Sequence, residues 1–264
     1  MVPLRIGTRG SPLALAQANE VGRLLVEAGI AAEEGIEITV IHTRGDQTAD
    51  WRALDAGGKG LFTKEIDVAL LSGRIEMAVH SMKDLPTEIP AGIVVDCLLP
   101  REDPRDVLLG VPSIAALKKG AVLGTSSVRR GAQVRHLRPD ISLVAFQGNV
   151  QTRIRKLAEG AADATMLAFA GLRRLGMDTA GGVVLEPDEI LPAAAQGAVG
   201  IAVPAAAEVG CHRGAHPRLV GKHQPRLLAP RQSGQNVPCH RVRRPVIDEQ
   251  TQRPAPNVFI GMSC

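Results

Sequence analysis

Short apolar runs alternate with helix-sized segments along the first two hundred residues, and glycine or proline marks nearly every junction. "LRIGT" (4–8) has the length and composition of a strand. A helix is expected from Ser11, a good N-cap followed by Pro12, to Gly29. "IEITVIHT" (36–43) is β-branched, a second helix is expected near 62–71 ending at Gly73, and "EMAVHS" (76–81) reads as a buried strand. Pro86, Pro90, Pro100 and Pro104 then interrupt the pattern, after which it restarts. "DVLLG" (106–110) and "AVLGT" (121–125) read as strands, with a helix opening at Ser126 or Ser127 and closing before Pro139. "SLVAFQ" (142–147), a helix near 150–158 and "ATMLAFA" (164–170) complete it. Such alternation implies α/β architecture with parallel strands, in two domains joined near residues 87–105.

The chain of 264 residues carries a formal charge of +4, but that excess is local. Residues 1–203 hold 22 Lys and Arg against 24 Asp and Glu, and residues 204–264 hold nine against three. A nucleic-acid partner is therefore not expected. The amino terminus lacks the order of a secretory signal, and no apolar run approaches the ~20 residues of a membrane span, so a cytoplasmic location is expected. The four cysteines show no CxxC spacing, which gives no basis for a metal site. From about Pro204 the sequence turns proline-, histidine- and arginine-rich without a period of 2 or 3.6, and a poorly ordered tail is expected.

Cationic and hydroxyl side chains gather at the expected strand-to-helix junctions. "GTRGSP" carries Arg9 and Ser11, "GGKGLFTKE" carries Lys59, and "GTSSVRR" carries Thr125, Ser127, Arg129 and Arg130. "QGNVQTR" carries Arg153, and "AGLRRLG" carries Arg174. Helix N-termini attract anions and arginine forks bind carboxylates, so a cleft lined this way suits a small polycarboxylate or phosphate. Neither a P-loop nor a dinucleotide fingerprint is present.

"AVHSMKDLP" (78–86) admits three readings. A Ser-His-Asp triad is disfavoured because neighbours on a strand face opposite ways and Ser81 has no GxSxG elbow. His80 lacks metal-ligating neighbours and reads as packed or hydrogen-bonded. The third reading makes Asp84 a cleft carboxylate beside the anion-binding Lys83, able to stabilise a cation or move protons, with a structural turn carboxylate equally compatible.

Together "RIGTRGSPLALAQA", "TRGD", "GGKGLFTKE", "AVHSMKDLP", "REDPRD", "GTSSVRR", "GNVQTR", "LAFAGLRRLG" and "LPAAAQGAVGI" closely resemble the porphobilinogen deaminase (hydroxymethylbilane synthase) family of tetrapyrrole and haem biosynthesis. The resemblance runs from residue 5 to about residue 201. It implies two α/β domains like those of periplasmic binding proteins with the site in the cleft between them, then a third α/β domain. The first would comprise residues 1–98 plus about 194–203, and the second residues 99–193. The implied reaction joins four porphobilinogens head to tail with loss of ammonia, primed by a dipyrromethane cofactor on a cysteine thioether, in a monomer.

By the same resemblance Asp84 is the catalytic carboxylate, and Arg9, Ser11, Lys83, Thr125, Ser127, Arg129, Arg130, Arg153 and Arg174 bind carboxylates of substrate and cofactor. Lys59 would lie in a loop over the cleft. Two departures stand out. Gln147 replaces the family's arginine before "GNV", and after "GIAV" neither a third-domain pattern nor a recognisable attachment cysteine follows, Cys211 in "EVGCHRGAHP" being a weak match. A truncated or frame-shifted carboxyl end is the corresponding expectation. Three outcomes stay open at this point: a deaminase, active or not; a non-catalytic binder of polycarboxylate anions; and an unstable fragment.

Overall fold

The computed structural model describes residues 3–47, 60 and 62–205. Lys59, Cys211 and the tail from residue 206 lie outside the described residues, as does any expectation that rests on them.

The described strands are β1 (Leu4–Thr8), β2 (Ile36–Val40), β3 (Met77–Ser81), β4 (Ile93–Leu98), β5 (Asp106–Leu109), β6 (Val122–Gly124), β7 (Ser142–Val144), β8 (Ala164–Ala168), β9 (Val183–Leu185) and β10 (Val199–Pro204). The helices are α1 (Pro12–Glu27), the single turn α2 (Arg44–Gln47), α3 (Lys64–Leu71), α4 (Val128–Leu137), α5 (Val150–Ala158) and α6 (Phe169–Arg174). They form two five-stranded sheets among the described residues, ordered β2-β1-β3-β10-β4 and β7-β6-β8-β5-β9.

Both sheets are mixed rather than parallel throughout. β1 runs parallel to β2 and β3, and β6 runs parallel to β7 and β8. In the first sheet β10 enters antiparallel between β3 and β4. In the second, β5 lies antiparallel to β8 and β9. The sequence expectation of parallel strands rests on local alternation. It does not include a strand returning from a hundred residues away, which a helical crossover does not constrain.

Alternation along the strands feeds a core on each face of each sheet. Met77 and Val79 of β3 pack with Ile6, Val21 and Leu25 on the α1 side. Ala78 faces the other way and packs with Ile66, Leu70 and Ile75 on the α3 side. The second sheet repeats the arrangement, with Leu108, Leu123 and Met166 against Val134 of α4, and Val107, Leu109 and Leu167 against Phe169, Leu172 and the α5 face. Burial on both faces explains why these strands read as continuous apolar runs. Each large aliphatic side chain so buried contributes about 1.5–3 kcal/mol.

Several strands end earlier than their sequence reading, β2 at Val40 among them, and two of these ends have a visible cause. β7 stops at Val144 because the Phe146 amide donates to Ser126 Oγ (3.0 Å), leaving the ladder. β8 stops at Ala168, and Phe169 and Ala170 open α6 instead, the Phe169 amide donating to the Arg105 carbonyl (3.0 Å). A run of apolar residues alone does not separate a strand end from a buried helix start.

Candidate functional site

The first half of the site gathers at the carboxyl end of β1 and β3. Ser11 caps α1, its hydroxyl accepting from the Ala14 amide (3.3 Å), with Pro12 opening the helix as the sequence indicates. After β3 a single 3₁₀ turn, Met82–Asp84, is fixed by the Met82 amide donating to the Ala198 carbonyl (3.0 Å). Arg9, Ser11, Phe62, His80, Ser81 and Asp84 thereby line one pocket. The Arg9 guanidinium lies 4.3 Å from the Phe62 ring centroid, within cation–π range. Ser81 and Gln17 exchange hydrogen bonds (2.9 and 3.1 Å), which directs the serine hydroxyl toward a structural partner.

Of the two alternatives that the sequence allows for His80, packed or hydrogen-bonded, the structure shows a packed histidine. It is only 6% exposed, it lines the pocket, and its Nε2 has no hydrogen-bond partner. Burial first, and then the charge of Arg9, push its pKa down to about 4. A histidine held neutral favours folding above its unfolded value near 6.5 and loses that contribution as pH falls toward its folded value. Roughly 3 kcal/mol of stability should drain away over that window. Imidazole nitrogen shifts followed by NMR are expected to place the His80 midpoint near pH 4, and a midpoint above 6 would contradict its burial beside Arg9.

The second half centres on Asp106, a carboxylate with 0% exposure at the first position of β5. Arg130 grips it with two donors, Nε to Oδ2 (3.0 Å) and Nη2 to Oδ1 (2.7 Å), and Arg129 adds Nη2 to Oδ2 (2.7 Å). Arg130 also donates to the Met166 carbonyl (2.9 Å), and Arg129 to the Leu191 carbonyl. Burial alone would raise the Asp106 pKa, but the hydrogen bonds and charge of Arg130, followed by those of Arg129, hold it below the usual carboxylate range. Ser127 caps α4 through the Arg130 amide (3.4 Å), and Thr125 Oγ1 accepts from the Ser127 amide (3.1 Å). Thr125, Ser127, Arg129 and Arg130 therefore share one helix start, as their sequence spacing implies.

Positive charge concentrates around these groups. Burial lowers the Lys83 pKa, with Asp84 opposing, Arg130 reinforcing, Asp106 opposing and Arg129 reinforcing. The residue nonetheless keeps solvent-exposed surface, so that lowering is tempered by water. Arg153 is pushed down to about 10 by burial and then by Arg130, with Asp84 opposing, and so stays cationic near neutral pH. Its Nε donates to the Gly148 carbonyl (2.8 Å). Gln147 is half-buried next to it, and its carbonyl accepts from Lys156 Nζ (3.1 Å).

Arg174 stands apart from the Asp84 pocket. Its guanidinium meets Glu20 (3.3 Å) and the Gly197 carbonyl (3.1 Å), and with Glu20, Arg23, Glu102 and Arg173 it lines a separate depression. Two central groups, Asp106 and Gln196, are absent from the sequence reading. A carboxylate opening a run as apolar as "DVLLG" and a lone amide inside "PAAAQGAVG" are the signals that mark them, because neither survives burial without partners. Among the described residues no cluster of His, Cys, Asp and Glu could hold a metal, and no helix is long and apolar enough to cross a membrane. The described cysteine, Cys97, is free and lies on β4.

Among solved structures, partial similarity is found to a probable amino-acid ABC transporter extracellular-binding protein from Bacillus subtilis (TM-score 0.46, 11% identity, 77% of this chain and 85% of that one). Another is the ligand-binding component of an ABC-type import system from Staphylococcus aureus (TM-score 0.45, 14% identity, 80% and 68%). In sequence, residues 4–209 match the family model described as porphobilinogen deaminase, dipyromethane cofactor binding domain. Curated relatives include the porphobilinogen deaminase of Paracoccus denitrificans, 55% identical over 202 residues, which are 75% of this chain and 64% of that protein. The chloroplastic porphobilinogen deaminase of Oryza sativa subsp. japonica is 56% identical over 203 residues, 75% of this chain and 57% of that protein. The chain thus spans less than two thirds of the length of these relatives. With a family match across both sheets and identities above one half, this chain belongs to the porphobilinogen deaminase family.

Proposed function

We propose that this chain carries out the reaction its family name describes, acting on porphobilinogen and releasing ammonia to build hydroxymethylbilane. The observation that carries the reading is a charge surplus around a cleft carboxylate. Lys83, Arg129, Arg130 and Arg153 form one interacting set whose described anionic members are Asp84 and Asp106. Four cations against two carboxylates leave room for the acetate and propionate groups of a pyrrole.

Arg153 and Lys83, together with Arg9 and Ser11 in the Asp84 pocket, would hold those carboxylates and fix the ring. Loss of ammonia breaks the aminomethyl C–N bond and leaves positive charge spread over the ring and its nitrogen. Asp84, held by the 3₁₀ turn, would accept the pyrrole N–H and stabilise that charge as it forms. A dipyrromethane group fits the same surplus, and Thr125, Ser127, Arg129 and Arg130 would hold its carboxylates. When bound, that group supplies the pyrrole carbon to which the first new unit is joined.

We further read residues 1–98 plus about 194–203, and residues 99–193, as two domains, in a monomeric cytoplasmic protein. The reading fits the return of β10 to the first sheet and the containment of the second within residues 106–185.

Equilibrium binding tests the recognition step. Porphobilinogen should bind far better than a pyrrole lacking both carboxyl side chains, and equal binding would contradict the reading. Gln147→Arg restores a cation beside Arg153, and one charge-assisted contact of ~1.5–3 kcal/mol predicts about 10- to 100-fold tighter binding or faster turnover. Unchanged binding and kinetics would exclude position 147 from the site. Porphobilinogen held tightly without ammonia release would instead favour a non-catalytic polycarboxylate binder.

A further inference from the structure

Gln196 is 1% exposed, and both polar atoms of its side chain are hydrogen-bonded. Its Nε2 donates to the Pro104 carbonyl (2.6 Å) and to Asp106 Oδ1 (2.8 Å), with the Arg105 carbonyl at 3.4 Å. Its Oε1 accepts from Lys83 Nζ (3.3 Å). Carbonyls and carboxylates only accept and an ammonium only donates, so this amide has one orientation that satisfies all its neighbours.

The backbone around Gln196 is shaped for that task. It is flanked by Ala195 at φ 55° and Gly197 at φ 91°. A non-glycine residue in the left-handed region is disfavoured and persists only where the surroundings fix it. At Gly197 a Cβ would overlap the Glu102 carbonyl, so glycine is required there. Arg101 Nε adds a bond to the Gln196 carbonyl (2.9 Å). The turn thus inserts one amide where the chain passes between the two sheets, next to Lys83 after β3 and Asp106 at the start of β5.

We propose that Gln196 is a positioning residue that joins Lys83, carried by the first sheet, to Asp106, the carboxylate that holds Arg129 and Arg130 on the second. The spacing of cations across the cleft is then set by one buried amide. Without it, Lys83 loses its fixed acceptor and Asp106 loses the donor that links it to the first sheet. The kinetic consequence rests on the function proposed above, and the electrostatic consequence does not.

The test uses the full chain with Gln196→Met, which keeps approximate volume but removes donor and acceptor, and Gln196→Glu, which keeps an acceptor for Lys83. Lys83 ionisation is read from the pH dependence of its acylation by acetic anhydride, counted by peptide mass spectrometry. In Gln196→Met the ammonium loses an acceptor, so the midpoint should fall by about one pH unit, and Gln196→Glu should return it to or above the starting value. The KM for porphobilinogen should rise about tenfold in Gln196→Met with kcat little changed, since uniform carboxylate binding is what weakens. Leu172→Ala, a core truncation in α6, controls for stability and should leave the Lys83 midpoint in place. If the midpoint is the same in all these proteins and activity simply follows thermal stability, the relay is wrong. Should the parent protein fail to turn over porphobilinogen, the function proposal fails while the Lys83 midpoints still decide the relay. If Gln196→Met does not fold, Gln196→Glu carries the electrostatic arm alone, and a midpoint below that of the parent overturns it.

Discussion

Asp84→Asn is expected to lower turnover of porphobilinogen about 10²- to 10³-fold while changing its binding little, the loss typical of removing one preorganised group from a developing charge. The side chains proposed to hold the substrate carboxylates, Arg9, Lys83 and Arg153, are untouched by this change. Asparagine preserves the shape of the turn but presents no full negative charge to the pyrrole nitrogen. Steady-state kinetics paired with equilibrium binding separates the two effects. Equal losses in binding and turnover, or turnover within about threefold of the parent, would remove Asp84 from its proposed role.

The second large effect is on stability. Asp106→Ala leaves Arg130, 5% exposed, with two of its three side-chain hydrogen bonds gone and no counter-charge at that position. Breaking a buried ion pair from one side typically costs about 3–5 kcal/mol. Urea unfolding should register that loss, and a cost below about 1 kcal/mol would contradict the buried pairing. The pH dependence has a definite sign. Because the folded carboxyl titrates below its unfolded value, its contribution is present above about pH 4 and disappears as pH falls through the lower, folded value. Asp106→Ala should therefore lack that part of the acid limb, whereas the His80 contribution between about pH 6.5 and 4 should remain.

Local chemistry makes much of the scaffold legible in the sequence. Ser11 and Pro12 start α1 where the capping rule places them, Gly73 follows the end of α3, and α5 spans the residues its pattern indicates. Ser127, with an adequate hydroxyl and an arginine pair close behind it, likewise caps α4. What local sequence does not carry is the non-local part. The antiparallel entry of β10 depends on chain return over more than a hundred residues, and no short-range pattern encodes it.

The candidate site divides the same way. Arg9, Ser11 and Asp84 share a pocket because strand ends and helix starts converge at one sheet edge, a general property of α/β folds. Arg129 and Arg130 read from sequence as free cleft cations, yet each already grips Asp106, so any ligand carboxylate competes for or shares their remaining donors. Arg174 shows the limit of reading roles from a motif, since its neighbours are Glu20 and a backbone carbonyl. Gln196 is marked in the sequence only as a lone amide in an apolar stretch, because the side-chain partners that give it a role are at least ninety positions away.

Ammonia release from porphobilinogen by the purified full chain, followed together with formation of the linear tetrapyrrole, bears on the whole scheme at once. The cationic cleft around Asp84 predicts ammonia released in proportion to pyrrole consumed, with hydroxymethylbilane as product and both signals suppressed in Asp84→Asn. Porphobilinogen left intact by a folded chain that binds it, or ammonia release unaffected by Asp84→Asn, would contradict the account.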